Sequence, residues 1–461
     1  MNWRDLLTAM LPEHVLLAGI LLLLGREIVT GRERGGFVTS VAVLLGALLA
    51  ACWLHVTGYT GTPFLGHYAT GPDASLMKIV VLALAVPVLL LSRDDFEETR
   101  YYVLVLASLY GACLIVSSDS FATLFLGIEL MSLPVYVLVL LAFLRPESTE
   151  AALKYLVLGG AATATLLMGI SLLYGWSGSI ALHAFAYALG SSDSLAVAGA
   201  ALVIAALFLK AAIVPLHAWA PDAYEGASVP VTAYMSTVVK AGVLLAALRV
   251  FGTMPVLPPI ADLLIVLPLV SMVWGNVAAI RQASFRRMIA YSSIAHAGYL
   301  FYAFLGNGLG RFEAVVFYLV VYGLMNLLAF AALLRGADDR AQDRLEALKG
   351  LYQHRPFAAV MIAIAMLSLA GIPPLPGFVA KFLVFRNVLA AGYTLYAVLG
   401  LVASYLGIYF YLRVIQYMFM SAEDPAAAHG RPRAYALLAS LLCLVPAALI
   451  AVFPGWLLER L

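Results

Sequence analysis

The sequence predicts an all-α, polytopic membrane protein of about 14 transmembrane helices, on three observations. Of 461 residues, 64% are hydrophobic and 11% are charged, where soluble domains use roughly half and a quarter. Runs of about 20 apolar residues, enough to span a hydrocarbon core of roughly 30 Å, recur along the whole sequence. Short polar joints separate them. A soluble fold is excluded.

The first run, 11–24, follows Arg4 and carries no small-residue cleavage pattern, so it reads as a retained, signal-anchor-like helix. Arg26, Arg32 and Arg34 close it before the second run, 36–57. The third, 77–93, ends in the joint that holds Arg93 and Arg100. Runs at 101–117 and 120–144 lead to Arg145, and runs at 151–174, 195–218, 229–251 and 256–280 lead to Arg281, Arg286 and Arg287. Next come 287–305, then Arg311, then 312–335. The joint from Arg335 to Arg355, with Arg340, Arg344 and Lys349, is expected to be a short amphipathic segment. Runs at 357–388, which includes Arg386, and at 391–420 precede Arg431 and Arg433, and 433–454 is the last.

Positive charge thus gathers in alternate joints, and cytoplasmic loops retain such charge. The expected orientation puts these joints in the cytoplasm and both termini in the periplasm, in a bacterial inner membrane. Cys52, Cys113 and Cys443 lie singly in apolar runs, without metal-site or disulfide spacing, and read as packing residues. A formal net charge of +2, spread among joints, excludes nucleic acid as a partner and leaves membrane lipid as the surroundings.

An internal repeat is expected. Glu150 and Ala151 with Tyr155, Leu156 and Val157 match Glu313 and Ala314 with Tyr318, Leu319 and Val320, 163 positions on. Leu248, Arg249 and Val250 match Leu412, Arg413 and Val414, 164 positions on. An offset of five helices, an odd number, inverts one copy relative to the other. Both copies should contain a broken helix: 207–220 holds Pro215, and 370–381 holds Gly371, Pro373, Pro374, Pro376 and Gly377. Such breaks are tolerated at membrane depth only where protein or a wet cavity surrounds them.

The chemistry resides in buried charge. Of six lysines, Lys154, Lys210, Lys240 and Lys381 lie in or close to apolar runs, where each ionisable group costs roughly 2.5 to 3.5 kcal/mol and normally faces the bundle interior or water. Lys154, near the start of its run, reads equally as a snorkelling side chain. Glu129 reads as the only carboxylate deep in a span. A carboxylate and a lysine in a dry bundle hold each other charged, so Glu129 and Lys210 are expected to titrate as a pair, with Lys240 taking the proton when they separate. Lysine suits such a relay because arginine keeps its proton. His217, seven residues after Lys210, would share its face if the helix were continuous. His217 and His296 each read as either a relay or a hydrogen-bonded packing residue. The repeat offset maps Glu129 onto Ser292 or Ser293, Lys240 onto about Ser404, and His217 onto Lys381. The second half therefore keeps one lysine and reads as the exit limb.

The segment VPLHAWAPDAYEGASVPVT, Val214 to Thr232, followed by Lys240, resembles the proton-conducting antiporter-like subunits of NADH-quinone oxidoreductase and of multisubunit cation/proton antiporters. FLGIELMSLPVYVL around Glu129, RMIAYSSIAHAGYL around His296, and SLAGIPPLPGFVAKF up to Lys381 and Phe382 extend the resemblance over about residues 100 to 420. The Ser-Leu-Pro after Glu129, lysine at 381 and the absence of a long C-terminal extension look most like the N-type subunits of bacterial complex I; an M-type subunit would be expected to carry glutamate at 381.

The resemblance implies two inverted five-helix repeats, helices 4–8 over 101–251 and 9–13 over 256–420, flanked by helices 1–3 over 1–100 and helix 14 over 421–461, with helices 7 and 12 discontinuous. It also implies roles: Glu129 and Lys210 switch, Lys240 relays, and Lys381 donates the proton outward. FMN, iron-sulfur clusters and quinone would belong to other subunits, including the hydrophilic NADH-oxidising arm. Direct partners would be antiporter-like and small membrane subunits. The rival reading is a cation/proton antiporter subunit, although a hard-cation site should offer several oxygen ligands at one depth.

Overall fold

The computed structural model describes residues 3–31, 33–141, 146–254, 256, 258, 260–306, 308–333, 343–421 and 434–461. The chain is nearly all helix because every backbone donor and acceptor must be satisfied locally where water is absent. Among the described residues, twelve helices are long and apolar enough to cross a membrane. A thirteenth span forms if Trp3–Ala9 and Leu11–Thr30, bent by 79°, count as one. The span expected at 357–388 is two fifteen-residue helices, Pro356–Ala370 and Pro376–Ala390. Their interruption falls on the proline-rich segment as the sequence required.

The other break also falls inside the expected segment. Ser194–Ala211 ends at Ala212, whose φ is +62°, and the chain turns before a short helix, Trp219–Gly226. Val229–Phe251 then crosses with a π-helical turn at Met235–Val239. The only sheet among the described residues is a two-stranded hairpin, Gly61–Phe64 and Tyr68–Thr70.

The chain forms two compact units, one of Met1–Lys210 with Val238–Met254, the other of Ala211–Thr237 with Pro255–Leu461. Each has its own pattern of backbone contacts, and the two patterns correspond. In the first, Phe121 N–H donates to Ile180 O (2.8 Å) and Leu182 N–H to Asp119 O (3.2 Å). In the second, Phe285 N–H donates to Asp343 O (2.7 Å) and Leu345 N–H to Ala283 O (2.8 Å). Arg249 donates twice to Ser118 O, at 3.0 and 2.6 Å. Arg413 donates to Ile280 O and Gln282 O, at 2.6 Å each. Both arginines satisfy carbonyls at the end of a helix, where no intrahelical donor remains.

Of the arginines that suggested the orientation, Arg32, Arg145, Arg335, Arg340, Arg431 and Arg433 lie outside the described residues. The described end of the long basic joint is amphipathic: Leu345, Leu348 and Leu351 are buried, and Arg344 and Glu346 are exposed. There Arg286 and Asp343 form a buried pair, Nε to Oδ1 3.1 Å, with Ser284 donating to the other carboxylate oxygen. Cys113 and Cys443 are buried and Cys52 partly so, all as free thiols.

Candidate functional site

Glu129 projects from Phe121–Leu141 and Lys210 from the last turn of Ser194–Ala211. Their side chains meet at 3.2 Å, with exposures of 19% for Glu129 and 8% for Lys210. Thr163 Oγ1 donates to the same Glu129 oxygen at 2.5 Å. Ser132 and Tyr136 hydroxyls lie 3.5 and 3.4 Å from Lys210 Nζ. Lys210 belongs to the last turn of its helix, where positive charge complements the helix dipole. The pair predicted from the sequence is therefore formed, with a cation held by one carboxylate and two nearby hydroxyls.

Lys240 is buried and opens Lys240–Phe251, directly after the π-helical turn. A π turn widens the helix and recurs at functional sites. Lys381 is buried at the other break. Its Nζ donates to Ala370 O at 2.9 Å and to Ser404 Oγ at 2.8 Å, and lies 5.1 Å from the Tyr299 ring centroid. Ala370 is the last residue of the preceding half-helix, so Lys381 caps an orphan carbonyl that the break exposes. Gly371 makes this approach possible: its φ is +87°, and a Cβ there would lie 2.9 Å from Lys381 Cδ.

His296 is buried with both ring nitrogens engaged, Nδ1 to Tyr318 OH at 2.8 Å and Nε2 to Tyr411 OH at 3.0 Å. Tyr411 OH also meets Ser292 Oγ at 2.5 Å. A small cavity of about 10 Å³ is lined by both His296 and Lys381, with Tyr318, Tyr322 and Ser368. Two candidate groups 85 positions apart in sequence thus line one small cavity.

The remaining candidates are placed elsewhere. His217 lies in the turn beyond Ala212, so the continuous helix that would have put it on the face of Lys210 does not form. Its Nε2 accepts from Trp274 Nε1 at 3.1 Å, which leaves Nδ1 to donate to Pro215 O at 3.3 Å. Lys154 pairs with Glu150 one turn away at 2.7 Å, on an outer face where the side chains are 44% and 65% exposed.

The sequence reading missed a second buried pair. Glu13 and Lys78 are both fully buried and 2.7 Å apart, so Glu129 is not the only deep carboxylate. Each lies near the start of its apolar run, where a charged residue ordinarily reaches the interface. The signal available was that both fall at similar depth from the same end of their runs.

The family model for the transmembrane region of NADH:quinone oxidoreductase and Mrp antiporter subunits matches residues 118–407. An NADH-quinone oxidoreductase subunit N from Pelobacter propionicus is 38% identical over 430 residues, covering 92% of each chain. A chain of respiratory complex I from Thermus thermophilus superposes with a TM-score of 0.83 at 32% identity, covering 97% of this chain and 98% of that one. A chain of the Mrp complex from Dietzia sp. DQ12-45-1b superposes with a TM-score of 0.84 at 23% identity, over 98% of this chain and 96% of that one, and shows a shared fold. With the buried lysines in these positions, the chain belongs to the NADH:quinone oxidoreductase/Mrp antiporter family of membrane subunits, among its relatives of subunit N type.

Proposed function

We propose that this chain translocates protons as a membrane subunit of an NADH-quinone oxidoreductase, with NADH oxidation and quinone reduction carried out by other subunits. The observation that carries the reading is the Glu129–Lys210 ion pair at 3.2 Å inside the bundle. While paired, Lys210 stays protonated. When a shift of neighbouring charge separates the two, the ammonium loses its counter-ion and its proton moves to Lys240. In the second unit, the His296 and Lys381 limb holds a proton and releases it outward. FMN, iron-sulfur clusters and the quinone site belong to the partner subunits in this reading, and the arginine-rich joints face the cytoplasm.

The same reading takes 101–251 and 256–420 as inverted copies. The paired contacts support it: Phe121 and Phe285, and Arg249 and Arg413, hold equivalent carbonyls 163 to 164 positions apart. Purification of the tagged chain from its own membranes in mild detergent tests the assembly. Co-purifying NADH-quinone reductase activity is expected; recovery with other small membrane subunits and no redox activity would favour a cation/proton antiporter subunit. Glu129→Gln or Lys381→Ala in the assembled complex is expected to abolish most proton pumping, and wild-type pumping in both would overturn the assignment.

A further inference from the structure

Glu13, Lys78 and Tyr68 lie outside the segment that the family model matches, and no step above uses them. Glu13 stands in the first turn of Leu11–Thr30 and Lys78 in Pro72–Ser92, with both side chains 0% exposed. Lys78 Nζ lies 2.7 Å from Glu13 Oε1. Tyr68, from the hairpin, is buried between them: its hydroxyl accepts from Lys78 Nζ at 2.7 Å and donates to Glu13 Oε1 at 2.8 Å. Glu13 Oε2 is buried and has no hydrogen-bond partner. From Thr99–Val116, Tyr110 and Cys113 are the ionisable side chains that act on this pair. The residue before Tyr68 is the exposed His67, whose Nδ1 meets Ser120 Oγ at 2.9 Å. The cluster occupies the end of these helices opposite Arg26 and Arg93.

A scaffold has no need of these charges. Apolar residues of similar volume ordinarily replace a buried ion pair without loss of stability. A carboxylate oxygen without a donor is poorly held in its ionised form, and lysine, unlike arginine, can give up a proton. We propose that Glu13, Tyr68 and Lys78 form a second proton-exchange site of this chain, at the outer end of the N-terminal helices and separate from the Glu129–Lys210 pair. Lys78 gives a proton to the Tyr68 oxygen while the phenolic proton passes to Glu13, which leaves a neutral amine and a neutral carboxyl. A proton arriving at Lys78 makes the site singly positive, and loss of the Glu13 carboxyl proton restores the ion pair. The site rests on the proton-translocation reading.

The test uses the whole complex in its membrane, comparing protons moved per electron in the double variant Glu13→Leu with Lys78→Met, in Tyr68→Phe, and in Glu129→Gln as control. The double variant is expected to assemble and reduce quinone while losing part of its proton flux per electron, with a smaller loss in Tyr68→Phe. Wild-type flux in the double variant, with flux lost in Glu129→Gln, makes the pair structural and overturns this inference alone. Wild-type flux in both overturns the translocation reading itself. If the double variant does not assemble, turnover-induced infrared difference spectra of Glu13→Gln decide: loss of a carboxyl C=O band supports the site, and an unchanged spectrum overturns it.

Discussion

Lys210 and Lys381 face the same difficulty, a cation away from bulk water, and meet it with different partners. Lys210 has a carboxylate at 3.2 Å, whereas Lys381 has a helix-end carbonyl at 2.9 Å and a serine hydroxyl at 2.8 Å. The first is held by an opposite charge, the second by a backbone dipole and a hydroxyl. Lys210→Arg is accordingly expected to keep the ion pair and the melting temperature of the complex while lowering proton pumping by about tenfold or more, because arginine keeps its proton. Proton flux at fixed quinone turnover checks it. Lys154→Ala, which loses the exposed pair with Glu150, should change stability by less than about 0.5 kcal/mol and leave pumping unaltered. A large pumping loss there would return Lys154 to the path.

At the scale of elements, the two breaks differ in how the backbone turns. The second reverses at Gly371, φ +87°, a conformation open to glycine; the first uses Ala212, φ +62°. A left-handed alanine costs roughly 1 kcal/mol, so Ala212→Gly should leave the melting temperature equal or higher and Ala212→Val should lower it. In the basic joint, burial pushes the Asp343 carboxyl above the usual carboxylate range, against the opposing effect of Arg286. An acid with a raised folded-state value favours folding at low pH and loses that contribution as pH rises through it. Asp343→Asn, which cannot titrate, should therefore flatten the fall of the melting temperature as pH rises from the ordinary aspartate value through the raised one. Asp343→Leu, which removes the carboxylate paired with buried Arg286, should cost about 3 to 5 kcal/mol.

For the whole molecule, the arginine-rich joints make the orientation testable. In a variant without native cysteines, Leu65→Cys in the exposed hairpin turn should react with a membrane-impermeant maleimide in intact cells, and Gln353→Cys only after lysis. The reverse pattern would invert the orientation and move the Glu13 site to the cytoplasmic face. The spans and the two interruptions were legible in the sequence because each rests on local composition: a run of apolar residues must become a helix in lipid, and proline must interrupt it; Glu129 and Lys210 were legible as partners because a carboxylate in such a run needs a cation and few lie within the runs. Tertiary structure alone decided the rest. It ended the helix at Ala212 and so removed His217 from the face of Lys210, and it left Lys154 outside the bundle. It also brought His296 and Lys381 to one cavity. Glu13 and Lys78 each lie near the start of a run and drew no expectation from the sequence; the fold buries them in direct contact, with Tyr68 from a hairpin distant from Glu13 in sequence bonded to both. Depth in a membrane bundle is set by what covers a residue, and covering is a long-range contact that no local run encodes.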